Sequence, residues 1–406
     1  MAVAATIYLD NHATTRLDPR VLETMLPWLT DHYGNAGSTT HEPGREARAV
    51  VETARETFAA TIGATAREIV FTSGATESTN LAILGTAARA RHADPVRRHC
   101  LTVLTEHHAT LDPLEHLERE GFEVTRLAVL PQAARAGIPG QIRPADLQAA
   151  LRPDTLLVSI LLANNEIGVV QDVPAIAENV HAAGAILHVD CAQGIGRMPI
   201  DVDQLGADLA SFSAHKFHGP KGVGGLYVRR RGRAVRLEPL VFGGGQERGL
   251  RSGTLDVPGI VGLAEAARLA GDGLAAEGPR MQQFRDRLYA RLAAGIPGLA
   301  INGPSLAAQL PDGRPARLVN NLNLHVPGVD GQTLLALLAN SGLALSSGSA
   351  CSAESPRPSH VLTALGRSED EARASLRFGL SRFTTEWELD EAAARVVAGV
   401  ARLRDV

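Results

Sequence analysis

The sequence predicts an α/β fold in which a large domain with a mostly parallel sheet is joined to a smaller α+β domain. Between residues 69 and 228, short β-branched and apolar runs alternate with stretches of helical periodicity, a pattern typical of strands covered on both faces by helices. After Pro258 this alternation stops and long amphipathic stretches follow. The chain of 406 residues also exceeds the length of roughly 250–300 residues at which single cores stop growing.

The predicted elements follow in chain order. Residues 43–62 repeat apolar side chains at helical spacing and predict the first long helix. Strands are predicted at residues 69–71, 101–104, 156–160, 186–189, 209–212 and 226–228. Helical patterns lie between several of these runs, at residues 77–89 and 174–183. Because such short apolar runs suit strands buried on both faces, we expect the sheet to be mostly parallel.

The part of the chain after Pro258 predicts the smaller domain. Two amphipathic helices, at residues 259–274 and 280–294, precede a strand at 318–324, a helix at 332–340 and a strand at 375–380. A last helix begins after Thr385, which forms a capping-box pattern with Glu388. We therefore predict a large domain over residues 15–262 and a small domain built from residues 1–14 and 263–406.

Composition excludes several classes of function. The net charge of −4 gives no overall positive potential that would attract nucleic acid. The basic run at 227–233 fits a solvated turn or, as the alternative, a contact with a partner. No apolar run reaches membrane-spanning length, and the first residues lack the basic region of a signal peptide. Three scattered cysteines form no CxxC pair, which argues against a disulfide framework or a metal site. We expect a cytoplasmic protein without a resident metal.

Polar residues follow the predicted strands at the edge where parallel sheets bind ligands. The turn SGATE at 73–77 opens a helix after the first strand, which suits a phosphate. His107, Asn165, Asp190 and Lys216 follow four further strands. Each feature alone has an ordinary alternative: a tight strand–helix turn, a structural histidine, a helix cap or a surface lysine.

Taken together, these groups meet the requirements of pyridoxal 5′-phosphate. A lysine forms a Schiff base with its aldehyde, and a carboxylate keeps its pyridine nitrogen protonated. A helix N-terminus neutralises its phosphate. Since no structural requirement brings these residue types to one sheet edge, the set predicts a pyridoxal-phosphate enzyme.

Nine motifs then identify a family resemblance. They are YLDNHATT (8–15), FTSGATES (71–78), TEHHATLD (105–112), NNEIGVVQ (164–171), HVDCAQ (188–193), SFSAHKFHGPKGVG (211–224), GGGQERGLRSGT (243–254), SSGSACS (346–352) and RFGLSRFTTE (377–386). In this order and spacing they resemble the cysteine desulfurases of the class V aminotransferase family, in the group that includes the iron–sulfur-cluster and nitrogen-fixation desulfurases. The resemblance implies a fold type I pyridoxal-phosphate transferase with a seven-stranded sheet, acting as a homodimer with shared active sites.

The resemblance also assigns the cofactor contacts by residue. Lys216 forms the Schiff base, whereas Lys221, in the glycine-rich turn beyond it, does not. The phosphate is held by Ala75, Thr76, Ser213 and His215, with Thr254 reaching over from the neighbouring subunit. The ring is held by His107, Asn165, Asp190 and Gln193.

The reaction implied by the resemblance is removal of sulfur from L-cysteine. Lys216 removes the Cα proton, His107 carries a proton, and Cys351 attacks the substrate sulfur, which leaves a persulfide on the enzyme and L-alanine as product. A thiol with a pKa of about 8.5 is mostly protonated at neutral pH, so this attack needs an assisted deprotonation. Small and turn-forming residues around Cys351 are typical of a mobile arm. The substrate contacts implied are Arg377, Asn35 and Asn165.

Two other functions and several acceptors stay open at this point. A selenocysteine lyase or another class V enzyme uses the same cofactor site but needs no thiol on a loop, and a non-catalytic assembly subunit needs neither Lys216 nor Cys351. The sulfur acceptor is expected to be an iron–sulfur scaffold, whose cluster Cys351 contacts transiently, or a sulfur carrier for tRNA or cofactor synthesis. From the resemblance and the sequence at 402–406, we expect no tail of the kind that housekeeping members use to dock the scaffold.

Overall fold

A computed structural model describes residues 6–347 and 358–405. Its strands are β1 (Ile7–Tyr8), β2 (Ile69–Thr72), β3 (His99–Val103), β4 (Glu123–Leu127), β5 (Thr155–Leu161), β6 (Ile186–Asp190), β7 (Leu209–Ser213), β8 (Gly224–Val228), β9 (Ala300–Ile301), β10 (Asn321–His325), β11 (Leu343–Ala344) and β12 (Ser375–Gly379). Its α-helices are α1 (Pro19–Leu29), α2 (Glu42–Thr61), α3 (Ala75–Ala93), α4 (His108–Arg119), α5 (Pro144–Ala150), α6 (Val173–Ala182), α7 (Val257–Gly295), α8 (Gly331–Asn340), α9 (His360–Ala364), α10 (Glu369–Arg373) and α11 (Glu386–Arg404).

The large sheet has seven strands in the order β2–β8–β7–β6–β5–β3–β4. Only β8 runs against its neighbours, so the prediction of a mostly parallel seven-stranded sheet is confirmed. The apolar pattern located six of these strands and missed β4. This edge strand has the sequence EVTRL and only its last residue is buried, so it lacks the continuous apolar run that marks strands covered on both faces.

Helix α7 corrects the prediction of two separate helices. It runs unbroken for 39 residues and contains Pro279. Its first half packs in the apolar cluster under the large sheet, through residues such as Leu263, and its second half packs in a separate cluster through Leu288 and Leu292. Burial on both sides of Pro279 outweighs the hydrogen bond that a proline removes, which costs about 3 kcal/mol.

The smaller sheets lie around the second cluster. Strands β12, β10 and β9 form one sheet, and β1 pairs in parallel with β11, which joins the chain start to its C-terminal part. The predicted capping box is present, with the backbone N–H of Thr385 donating to Glu388 at 2.8 Å. Within the described ranges, no helix is both long enough and apolar enough to cross a membrane.

The domain boundaries stay a proposal. We place a large domain at residues 15–262 and a small one at 1–14 and 263–406 because the two apolar clusters share no residue. Two parts of the small domain depart from this division. Residues 263–270 of α7, such as Leu263, pack in the larger cluster, and so do Val361, Leu362 and Leu365 of α9 and its end. Residues 361–365 are therefore anchored to the large sheet's core.

Candidate active site

A cavity of about 520 Å³ lies at the carboxyl ends of the parallel strands. The residues predicted for the site that line it are Ala75, Thr76, His107, Asn165, Asp190, Gln193, Ser213, His215, Lys216 and Arg377. Asn35 and Thr254 are exposed and lie outside this cavity, and the amide oxygen of Asn35 accepts a hydrogen bond from the N–H of Gly37 in its own loop. Cys351 lies outside the described residues. The cavity thus brings together residues far apart in sequence, most of them from one edge of the large sheet and Arg377 from β12 of a smaller sheet.

The turn between β2 and α3 leaves a helix N-terminus open towards the cavity. Gly74, the N-cap, has φ 151° and ψ 179°, which essentially only glycine adopts, and no side chain caps the helix. Glu77 folds back to accept the N–H of Ser73 at 2.7 Å. The first N–H groups of a helix have no intrahelical acceptor, so those of Ala75 and Thr76 are available to an anion.

Gly224 allows this turn to pack closely against β8. A Cβ at this position would lie 2.4 Å from the carbonyl oxygen of Phe212 and 2.6 Å from Cα of Gly74. We expect Gly224→Ala to lower the free energy of unfolding by about 1–3 kcal/mol, as overpacking does. Urea unfolding followed by circular dichroism measures this change.

The control for Gly224→Ala is Gly271→Ala in α7. An added Cβ there has nothing within 4 Å, and alanine favours a helix over glycine, so its stability should equal or exceed that of the unchanged protein. Equal stability of the two variants would contradict the close approach of Gly74 and Gly224.

Lys216 lies at the end of a 3₁₀ turn that follows β7. Its Nζ donates to the carbonyl oxygens of His12 and Ala13, each at 2.7 Å. In the preceding residue, Nδ1 of His215 lies 3.0 Å from Oγ1 of Thr14. The segment 12–14 therefore forms one wall of the cavity. These residues belong to the motif YLDNHATT, and the sequence predicted no separate role for them.

A second lysine, Lys221, also lines the cavity, although its side chain is exposed. Of the two lysines, only Lys216 follows a buried strand directly and has its ammonium held by cavity-wall carbonyl groups. This difference favours Lys216 as the lysine that reacts.

Asp190 is the last residue of β6 and is buried. Its Oδ1 accepts the backbone N–H of Ala192 at 2.9 Å. Burial raises the pKa of this carboxyl to about 6, although the Ala192 N–H and the Lys216 ammonium oppose the rise. A buried carboxylate at the cavity wall is stabilised by a cationic N–H donor, as a pyridinium nitrogen provides.

His107 is the N-cap of α4, and its Nδ1 accepts the backbone N–H of Ala109 at 3.0 Å. The neutral ring must therefore carry its proton on Nε2. Burial lowers the pKa of His107 to about 4, assisted by the positive charge of Lys216. The imidazole is consequently neutral at pH 7.

Arg377 lies on β12 and its side chain is fully buried. It donates to Oδ1 of Asp10 at 2.8 Å and to the carbonyl oxygen of Asn165 at 3.2 Å. Its Nε has no acceptor among the residues that the structure describes. Arg377 thus presents a buried guanidinium to the cavity with hydrogen-bonding capacity to spare.

The donor set at the cavity fits pyridoxal phosphate. It combines an uncapped helix N-terminus, a buried carboxyl and a lysine held at a strand end. Residues 6–347 and 358–405 contain no group of three or more histidine, cysteine or acidic side chains that could hold a metal ion.

Comparison with known proteins gives consistent matches. The profile of the family described as aminotransferase class-V matches residues 7–391. The protein "Cysteine desulfurase IscS" of Anaeromyxobacter sp. (strain Fw109-5) is 50% identical over 400 residues, 98% of this chain and 94% of that protein. The solved structure "NIFS-LIKE PROTEIN" has a TM-score of 0.86 at 36% identity, covering 98% of this chain and 100% of that chain. "SspA in complex with cysteine" has a TM-score of 0.75 at 35% identity, covering 93% and 99%.

Proposed function

Because the chain belongs to the class V aminotransferase family and, within it, to the cysteine desulfurases, we propose that it converts L-cysteine to L-alanine and passes the sulfur through Cys351 to an acceptor protein. The observation that carries this proposal is the cavity in which Lys216, Asp190 and the open N-terminus of α3 meet. A solved relative described as a complex with cysteine supports the choice of substrate.

Pyridoxal 5′-phosphate is the cofactor proposed for this cavity. The N–H groups of Ala75 and Thr76, with Ser213 and His215, would hold its phosphate, and Asp190 would pair with its pyridine nitrogen. Gln193 and Asn165 would face its ring oxygen. When bound, the cofactor draws electrons from the substrate carbon next to the amino group.

The proton transfers are assigned to Lys216 and His107. The Nζ of Lys216, in its uncharged form, takes the substrate Cα proton, and the carbonyl groups of His12 and Ala13 keep Nζ in place. His107 is the proposed proton carrier, and its neutral ring holds its one proton on Nε2 because Nδ1 accepts the Ala109 N–H. A neutral ring that lost this proton would become an imidazolate, so His107 carries a proton by first taking up a second one at Nδ1, with release of the Ala109 N–H. Burial, which lowers the pKa of His107 to about 4, makes that imidazolium a strong acid that passes a proton on.

Arg377 is proposed to bind the substrate carboxylate. Its guanidinium is already fixed by Asp10 and by the Asn165 carbonyl group, so little side-chain entropy is lost when the carboxylate binds. Planar guanidinium groups form paired hydrogen bonds with carboxylates. The side chain of Asn165 lines the same cavity and is assigned to the substrate as well. Asn35 is assigned to the substrate from the resemblance alone, because it lies outside this cavity in a single subunit.

The sulfur transfer conserves atoms without another reactant. The Cβ–S bond of the substrate breaks and a bond forms between that sulfur and the Cys351 sulfur. The substrate Cβ gains a hydrogen, so that L-cysteine and the Cys351 thiol become L-alanine and a Cys351 persulfide. An acceptor protein, either an iron–sulfur scaffold or a sulfur carrier, then takes the outer sulfur.

We further propose a cytoplasmic homodimer in which each subunit supplies Thr254 to the other site. The outward face of α1 exposes Leu22, Leu26 and Leu29 by 41%, 46% and 55%, and Phe242 is 81% exposed. The three leucines follow helical spacing along one face. Exposed apolar residues so arranged favour coverage by a second copy of the chain.

The test of the function is a product assay. We expect purified protein incubated with pyridoxal phosphate and L-cysteine to form alanine and sulfane sulfur in equal amounts. Turnover of selenocysteine alone would favour the lyase, and protein that stays colourless with pyridoxal phosphate would contradict the cofactor and leave a non-catalytic subunit as the alternative.

A further inference from the structure

Behind the cavity lies a buried arginine without a carboxylate partner among the described residues. Arg197 is 9% exposed and donates to the carbonyl oxygens of Gln193, Asn11 and Lys216 at 3.2, 3.3 and 3.1 Å. It also donates to the side-chain oxygen Oε1 of Gln193. Burial lowers its pKa to about 10, so the guanidinium keeps its charge at neutral pH.

The contact with Arg197 identifies which terminal atom of the Gln193 side chain is the amide oxygen and which is the amide nitrogen. A guanidinium only donates hydrogen bonds, so the atom it contacts must be the amide oxygen. The amide nitrogen of Gln193 then donates to the carbonyl oxygen of His12 at 3.0 Å. Since Gln193 lines the cavity, the second hydrogen of this nitrogen is the one left for a ligand.

His12 is fixed by the same bonds. Its Nδ1 lies 3.1 Å from Oε1 of Gln193, and because that oxygen only accepts, Nδ1 must carry the proton of the ring. The ring is fully buried, and its Nε2 has no partner in the described part of the chain. Burial, followed by the charge of Arg197, lowers the pKa of His12 well below its ordinary value, which keeps the imidazole neutral.

We propose that Arg197 and His12 are positioning residues that hold the amide of Gln193 with its N–H towards the cavity and strengthen that N–H as a donor. Two donors on the amide oxygen, one of them charged, polarise the amide. The ligand group that fits is an anionic oxygen. This inference rests on the proposed function, in which Gln193 faces the ring oxygen of pyridoxal phosphate.

The spectroscopic consequence follows from charge. A donor that stabilises the negative ring oxygen weakens its hold on the proton shared with the Lys216 nitrogen, so that proton is lost at lower pH. We call the two hydrogen bonds from Arg197 and His12 to the Gln193 amide oxygen the relay. Loss of the relay therefore raises the pH midpoint, which is the pH at which the visible absorbance of the protein with bound pyridoxal phosphate has changed by half. The other titratable groups that line the cavity, from every element around it, are Glu77, His107, Asp190, His215, Lys221 and Arg377.

Two pairs of variants test the relay in protein loaded with pyridoxal phosphate. We expect Arg197→Met to raise the pH midpoint by about one unit, a tenfold change in the proton equilibrium, and Arg197→Lys to raise it less because the charge stays. His12→Leu should also raise the pH midpoint, by an amount that corresponds to about a threefold to tenfold change in the same proton equilibrium. His12→Asn should restore it, because the asparagine N–H replaces Nδ1–H. The pyridoxal phosphate dissociation constant is measured on the same samples.

The matched control is Arg317→Met. Arg317 is also buried, at 1% exposure, and bonds only oxygen atoms of the chain, including Pro304 O and Asn321 Oδ1, but it does not line this cavity. Its loss should lower stability without moving the midpoint. Unchanged midpoints in Arg197→Met and His12→Leu would overturn the relay, as would equal shifts in His12→Leu and His12→Asn.

Failure of the relay and failure of the function are distinguishable. If the unchanged protein binds no pyridoxal phosphate, the proposed function fails. If it binds and the variants match it, only the relay fails. Should Arg197→Met not fold, Arg197→Lys and the His12 pair decide by the same criterion.

Discussion

Lys216→Ala is expected to lower the rate of alanine formation from L-cysteine by about 10³-fold or more, since it removes a general base and a covalent anchor together. The Nζ of Lys216 is held by two carbonyl groups at the wall of the cavity, and no other amine is fixed there among the described residues. The variant should also lose the visible absorbance of protein-linked pyridoxal phosphate. Initial rates and absorbance spectra of purified protein measure both effects.

The matched control is Lys221→Ala. Lys221 lines the same cavity but is exposed, so its loss should leave the visible absorbance in place. Borohydride reduction followed by peptide mapping should place the cofactor on residue 216. Absorbance that persists in Lys216→Ala and disappears in Lys221→Ala would show that the other lysine is attached.

Much of the fold was predictable because local pattern and burial agree in it. The strands β2, β3, β5, β6, β7 and β8 are short, rich in apolar residues and buried at almost every position, and their ends placed Asp190 and Lys216 at one edge. Strand β4 and the continuity of α7 were not predictable from local pattern. An edge strand has one face without an apolar signature, and Pro279 is tolerated only because two distant clusters hold the helix on either side.

The same distinction holds for the candidate site, where local pattern predicted some residues and long-range contacts determine others. Residues with reactive groups after strands, such as His107, were found from residue type and position. His12 and Arg197 were missed, because their importance comes from bonds between positions separated by 181 residues, as in the pair His12–Gln193. The sequence alone offers two signals for them: an arginine in the loop after a strand (GIGR, 194–197) and a histidine in the polar run after β1.

Cys351→Ala is expected to abolish protein-bound sulfane sulfur and to lower alanine formation by at least about 10²-fold when no other thiol is added, since the thiolate nucleophile is lost. Both described flanks of this residue are tied to the cavity region. Arg377 donates its backbone N–H to the Ser346 carbonyl oxygen at 2.8 Å, and Ser359 donates to Glu166 at 2.5 Å. Cys351 comes five positions after Ser346, a reach of at most about 18 Å.

The other two cysteines of the chain supply the controls for this prediction. Cys100 and Cys191 are buried, and burial raises the pKa of Cys100 to about 12 and that of Cys191 well above its ordinary value. Neither thiol is therefore ionised or accessible, and Cys100→Ala and Cys191→Ala should keep the label from ³⁵S-cysteine on residue 351. Alanine formed at an undiminished rate by Cys351→Ala, or label found on Cys191, would rule out a persulfide at residue 351 as the route of the sulfur.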